Sequence, residues 1–285
     1  MGKIGYTFSM MGASWDVLKK DKGLLVFPLL SGICCILVLV SFAIPLYKTG
    51  VAQQLQDWKS MTPTQKAADI AIMFLFYFCN YFVIIFFNSA IVTCAVVRMR
   101  GGNPTLSTGL NAAMARLPQI FGWALVSATV SVVLRVIENT HKKTGRWIAA
   151  ILGAAWAITT FLVVPVLVVE KKGPIESFKE SARLLKKTWG EQLIGNFGFG
   201  IVFFLLGLPG IALLVFGIIA LTGGAAGMTL AVLLIAGGIL YLILLGLIQS
   251  ALQVIFQAAL YLYAKDGTAP AGFDPSTLGR AMGHK

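Results

Sequence analysis

The stretch Leu24–Leu46, LLVFPLLSGICCILVLVSFAIPL, holds no charged residue and is longer than the ~20 residues a helix needs to cross a hydrocarbon core. An apolar run of this length reads as a helix whose solvent is lipid. Five further stretches read the same way: Ala67–Val97, Ile120–Ile137, Trp147–Val169, Leu193–Leu221 and Met228–Ala264. With 58% hydrophobic and 12% charged residues, and a mean hydropathy of +0.84, nothing between the spans is long enough to build a soluble core of its own. The expected fold is therefore all-α: a polytopic transmembrane helical bundle of six spans. Residues 1–264 form its single membrane domain and 265–285 a flexible cytoplasmic tail. The first span begins too late and runs too long for a cleaved signal peptide, and is expected to be retained.

The net charge of +12 would point to nucleic acid in a soluble protein. Here its placement decides otherwise. With both termini cytoplasmic, sixteen of the 23 Lys and Arg fall on the cytoplasmic side, among them Lys19, Lys20, Lys22, Arg98, Arg100, Lys171, Lys172, Lys186 and Lys187. Six fall on the other side (Lys48, Lys59, Lys66, Lys142, Lys143 and Arg146), and Arg135 lies within a span. This is the positive-inside pattern, which orients both termini to the cytoplasm, and no nucleic-acid partner is expected. Cys34, Cys35, Cys79 and Cys94 all lie in apolar spans and read as small buried hydrophobes.

A repeat lies in the segments before the spans. Ser14-Trp15-Asp16-Val17-Leu18-Lys19-Lys20-Asp21-Lys22-Gly23 and Ser181-Ala182-Arg183-Leu184-Leu185-Lys186-Lys187-Thr188-Trp189-Gly190 share Ser-x-x-apolar-Leu-Lys-Lys-x-x-Gly. In the second arm Phe178, Ala182, Leu185 and Trp189 recur at helical spacing. That pattern predicts an amphipathic helix in the interface, its aromatic side among acyl chains and Lys19, Lys20, Arg183, Lys186 and Lys187 at the headgroups. Pro174 suits its first turn, and Gly190 the bend into the membrane. With a weaker analogue around Leu106–Leu117, the chain parses into three parallel units of arm, span, span: 6–97, 105–169 and 174–264. Pro28, Pro165 and Pro209-Gly210 mark places for kinks, and the fifth stretch is expected to be one kinked helix. The sixth is long enough to protrude into the cytoplasm.

Ionisable groups inside a membrane are functional candidates. Asp69, Arg135 and Glu138 lie at similar depth near the outer face, so Arg135 has either carboxylate as a partner, as a structural clamp or as an extracytoplasmic gate. His141 and His284 form neither a metal site nor a catalytic pair, and no Walker loop, HExxH, GxSxG or CxxC is present. No catalytic residue, metal or cofactor is expected. Gln249, Gln253 and Gln257 form a stripe with spacing of four, and with Asn88 and Asn196 they gather in the cytoplasmic half. Such amides face one another across helices, or line a cavity rimmed by the arm lysines that attracts an anionic lipid or solute.

The segment Ser14 to Leu30 resembles the opening of an uncharacterised family of bacterial multi-pass membrane proteins. Glu180 to Gly190 resembles that family's second signature, and Ala258 to Ala264, with Tyr261 and Tyr263, its closing one. The resemblance implies six spans in a bacterial inner membrane and carries no activity. A fainter similarity, confined to a Trp-x-x-x-Lys arm followed by Phe-Pro-Leu-Leu, is to bacterial sulfate permeases and to the membrane domains attached to glycerophosphodiester phosphodiesterases. The functional expectation is a non-enzymatic membrane protein that binds or passes a lipid or small anionic solute, with membrane lipids as partners. The alternative is a structural or assembly subunit, joined to a second copy or to a membrane complex through the protruding sixth helix and the tail.

Overall fold

The computed structural model describes residues 3–48, 61–140, 144–222 and 224–273, with helical backbone alone for 3–7, 140, 187–197 and 224–226. Among the described residues every regular element is helical. In chain order they are α1 (Lys3–Lys20), a 3-10 turn (Lys22–Leu25), α2 (Val26–Lys48), α3 (Pro63–Met99), α4 (Leu106–Met114), α5 (Leu117–Thr140), α6 (Thr144–Thr159), α7 (Val163–Val169), α8 (Pro174–Ala220) and α9 (Gly224–Asp266). Six segments have the length and apolar composition to cross a membrane: Lys22–Lys48, Pro63–Met99, Leu117–Asn139, Thr144–Val169, Gly198–Ala220 and Gly227–Asp266. The chain is a multi-pass helical membrane protein.

Local chemistry sets the helix boundaries. Pro63 opens α3 behind a reciprocal cap, in which Gln65 N–H donates to Thr62 Oγ1 (3.3 Å) and Thr62 N–H to Gln65 Oε1 (2.9 Å). Gly101, at φ +87°, turns the chain out of α3. The fourth span is broken between α6 and α7 because Pro165 lacks the N–H that the Phe161 carbonyl would accept and its ring crowds that carbonyl. Pro209 does not break α8, so the fifth stretch is one helix as expected; one turn earlier, the Leu206 carbonyl accepts from the Tyr241 hydroxyl at 2.6 Å. The expected bend at Gly190 is absent. Arm and span form a single helix, since an isolated glycine weakens a helix by only about 1 kcal/mol.

The three helical arms α1, α4 and the first turns of α8 lie at one end of the bundle, here the basal end, where the second spans of the three hairpins converge. The basal ends of α3, α7 and α9 pack on one another, and each arm packs on the second span of a neighbouring hairpin: α4 on α3, α8 on α7, and α1, closing the ring, on α9. Burial concentrates there, with Ile91, Ala95, Leu162, Val166, Leu167, Ile255 and Ala259 fully buried. The final turns of α9 belong to this core. Apart from Gln253 and Gln257, every residue from Ala251 to Ala264 is buried, so the sixth helix does not protrude as a free docking surface.

The arms also bury a different face from the one expected. In α8 it is Ser177, Ser181 and Leu184 that are buried, while Phe178, Ala182 and Leu185 are only partly so. The equivalent stripe of α1, Met10, Ser14 and Val17, is buried as well. The serines turn inward because open backbone groups wait there. Ser181 Oγ accepts from Leu162 N–H (3.2 Å) and donates to the Thr159 carbonyl (2.7 Å), closing the gap between α6 and α7. Phe178 stacks on Trp156 with centroids 5.6 Å apart.

Two predictions follow from this packing. Ser181→Ala should lower stability by about 1–3 kcal/mol, because it opens two backbone groups away from water. Ser14→Ala should be neutral or stabilising, since Ser14 Oγ is buried with no partner among the described residues; thermal unfolding of the two variants in detergent compares them directly. At the crossing of α4 and α3, a Cβ on Gly109 would lie 2.8 Å from Cys94 Sγ and Phe27 Cζ and 3.0 Å from the Ala90 carbonyl oxygen. Gly109→Ala should cost about 1–3 kcal/mol in the same assay, whereas Gly12→Ala, with open space around the added carbon, should not.

Candidate functional site

At the basal end a cavity of 250 Å³ opens between the 3-10 turn and α4. Lys20 and Lys22 are exposed at its rim, and Leu24, Phe27, Cys94 and Leu106 give it an apolar floor. Asp21 lies between the two lysines, yet its charge is already matched. Arg98 grips it through both Nε and Nη2, the latter 2.6 Å from Oδ1, and Nη1 donates to Asn103 Oδ1 at 2.7 Å. This fork ties the start of the first hairpin to the end of α3 and leaves the lysines as uncompensated charge. Thr105, also in the lining, caps α4 reciprocally with Thr108, so its N–H donates to Thr108 Oγ1 at 3.2 Å and Thr108 N–H to Thr105 Oγ1 at 3.1 Å. Cationic rim, helix start and apolar floor together suit an amphipathic anion.

A second charged cluster joins the last hairpin to the one before it. Glu170, which ends α7, accepts from Tyr261 (3.0 Å) and Lys265 (2.9 Å) of α9 through Oε1, and from Lys172 (2.6 Å) through Oε2. Lys172 reaches on to Glu180 at 3.3 Å, and Arg183 meets Glu180 at 2.9 Å. Between them Lys171 sits at φ +60°, a strained conformation for a residue with a side chain, held by these ties on either side. Burial pushes the Glu170 carboxyl up, but hydrogen bonds from Lys172, Lys265 and Tyr261 outweigh it and hold the group below its ordinary range. Lys172 is raised, first by its bond to Glu170 and against its own desolvation.

The sequence pattern of a family of unknown function matches residues 67–273, which take in this cluster, α4 and five of the six spans. The chain belongs to that family, DUF6159. Comparison with curated proteins and with solved structures finds no match. No similarity to sulfate permeases or to phosphodiesterase membrane domains is shown. The DUF6159 match begins after the 3-10 turn, so Lys20, Asp21 and Lys22 lie outside it while Arg98, Glu170, Glu180 and Lys265 lie within.

Of the residues singled out in the sequence, Lys19, Lys20, Arg183 and Lys186 are exposed at the basal end. The side chains of Lys187 and Asn196 lie outside the described residues. Asn88, Gln249, Gln253 and Gln257 are partly buried, and none lines the lysine-rimmed cavity. Arg135 pairs with Glu138 at 3.0 Å along one helix, and Asp69 makes no ion pair with a described residue. Sequence reading assigned no role to Asp21, Arg98, Glu170 and Glu180. The available signal was acidic residues set among lysines at helix ends, where a lone carboxylate has cationic neighbours to meet.

For the DUF6159 cluster the pH signs are opposite at the two limits. Because the Glu170 value is depressed, its contribution is present above the usual glutamate range near ~4.3 and lost as pH falls through the lower folded value. Because Lys172 is raised, its contribution is present below ~10.4 and lost as pH rises through the higher folded value. Glu170→Gln should therefore destabilise by about 2 kcal/mol at neutral pH, with Lys172 and Lys265 partly exposed and screened. The difference from the parent protein should vanish in strong acid, as read by thermal unfolding across pH.

Proposed function

We propose that this protein is a non-catalytic membrane protein that holds anionic lipid headgroups at its basal end, in the cavity rimmed by Lys20 and Lys22. The observation that carries the reading is the combination of two uncompensated lysines over an apolar floor, with the intervening Asp21 already engaged by Arg98. An inorganic anion has no use for the floor, and a neutral apolar ligand has none for the rim. A phospholipid uses both. Exposed Lys186 adds positive charge at the same end.

The same charge distribution supports an orientation with the basal end and both termini in the cytoplasm of a bacterial cell, the chain lying in the inner membrane. Gln249, Gln253 and Gln257 fit interhelical hydrogen bonding better than this cavity, since α9 contributes nothing to its lining. Replacing Lys20 and Lys22 together by Gln should leave the fold intact, because both are exposed. It should weaken retention of phosphatidylglycerol about tenfold or more, at ~1 kcal/mol per cation. Native mass spectrometry of purified protein titrated with that lipid reads the effect; equal retention by parent and variant would sink the proposal.

A further inference from the structure

At the opposite, distal end α3, α5 and α6 enclose a cleft of 380 Å³ that holds Arg135, Glu138 and Arg146 beside Tyr77, Tyr81 and Ser131. Its charges do not balance. Glu138 Oε2 lies 3.0 Å from Arg135 Nη1 and its Oε1 lies 3.9 Å from Arg146 Nε, so among the described residues lining the cleft one carboxylate serves two guanidinium groups, while Asp69 acts on Arg135 only through space, outside ion-pair distance. Tyr81 and Ser131 bond to each other at 2.7 Å and supply no anion.

Depth makes the surplus consequential. At ~1.5 Å per residue Arg135 is about 27 Å along α5 from its basal start, and Arg146 about 34 Å from the basal end of α7. With a hydrocarbon core of about 30 Å, both guanidinium groups stand at the far edge of the hydrocarbon, where an uncompensated cation is costly and where lipid phosphates lie.

Leu134 walls this cleft and also lines an apolar groove of 370 Å³ between α5 and α6. The groove passes Val133, Ile137, Leu152 and Ala155 and ends on Trp156 and Phe178, so it leads from the arginines toward the middle of the membrane. A cationic cleft at headgroup depth thus continues into an apolar channel of acyl-chain character.

We propose that this distal cleft binds the phosphodiester of an anionic phospholipid across Arg135 and Arg146, with one acyl chain lying in the groove behind Leu134. The excess of guanidinium over carboxylate in the lining attracts an anionic headgroup such as that of a phosphatidylglycerol. It favours that lipid over the net-neutral phosphatidylcholine, and the groove favours a lipid over a free phosphate. The site is independent of the basal lysines and lies in the other leaflet.

A photocrosslinking amino acid in place of Ala150, which lines the cleft and is exposed, tests this in the full chain. The protein is placed in phosphatidylcholine nanodiscs containing a minor share of phosphatidylglycerol, and mass spectrometry identifies the captured lipid. Phosphatidylglycerol should be captured about fivefold above its share, and R146Q should remove that enrichment, at roughly fivefold per surface cation. The Arg146 side chain is 77% exposed, so R146Q does not threaten folding. Ala155→Phe, which fills the groove from an exposed position, should lower capture of both lipids. Capture in proportion to bulk composition, unchanged by R146Q, would overturn the proposal, and so would unchanged capture in Ala155→Phe. Displacement of the lipid by equimolar inorganic phosphate or glycerophosphoglycerol would assign the cleft to a soluble anion instead.

Discussion

A carbonyl or amide left open in hydrocarbon costs several kcal/mol, and the basal end of this protein is organised around one place where a span opens its own helix. Pro165 interrupts the fourth span, and Ser181 closes the gap from outside by bonding Leu162 and Thr159. That requirement lays the third arm along α7. It also brings Glu180, the preceding residue, within reach of the turn that holds Glu170 and Lys172. Tyr261 and Lys265 of α9 then complete the cluster, so a single backbone defect accounts for how two hairpins are fastened together. Lipid supplies no hydrophobic force to press helices against one another, and fastenings of this polar kind are what remains.

The same physics decides what could be read from the sequence. The spans were legible because length and apolarity are properties of a segment alone. Which face of a span is buried was not, because a face toward lipid and a face toward protein are equally apolar. The arm shows the difference most clearly. By hydropathy Phe178, Ala182, Leu185 and Trp189 read as the stripe sunk among acyl chains, but the face the helix buries against protein is Ser177, Ser181 and Leu184, where the serine hydroxyls find backbone partners. A polar residue in such a helix marks the protein side more reliably than an apolar one does.

The candidate site was legible as a kind of place and not as a set of residues. Lysines in the arms pointed to a basic rim at one end, and Lys20 stands there. The floor comes from Phe27, Cys94 and Leu106, on three separate elements, and no spacing in the sequence announces their meeting. Asp21 and Arg98 are equally remote in sequence, and their fork decides that the rim stays positive. The glutamine stripe attracted notice because amides are costly in hydrocarbon, but regular spacing of such groups is served as well by contacts between helices.

Burial is unevenly distributed along the membrane normal, and that limits what the bundle can do. At the basal end the three second spans close on one another through Ile91, Ala95, Val166, Ile255 and Ala259, a fully buried apolar cluster. Toward the other end large apolar side chains such as Ile36, Leu37, Phe204, Leu233 and Leu240 are exposed, as lipid-facing positions must be. There α8 and α9 approach closely at glycines: a Cβ on Gly238 would lie 3.1 Å from the Gly210 carbonyl oxygen, and one on Gly217 2.6 Å from Ile235 Cγ1. A solute moving through the bundle would have to part such close contacts and strip its own water among aliphatic side chains. A lipid faces neither cost, because the basic cavity and the grooves beside α5 are reached from the side, where its chains already lie. On the proposed reading, lipid engages the bundle from the side.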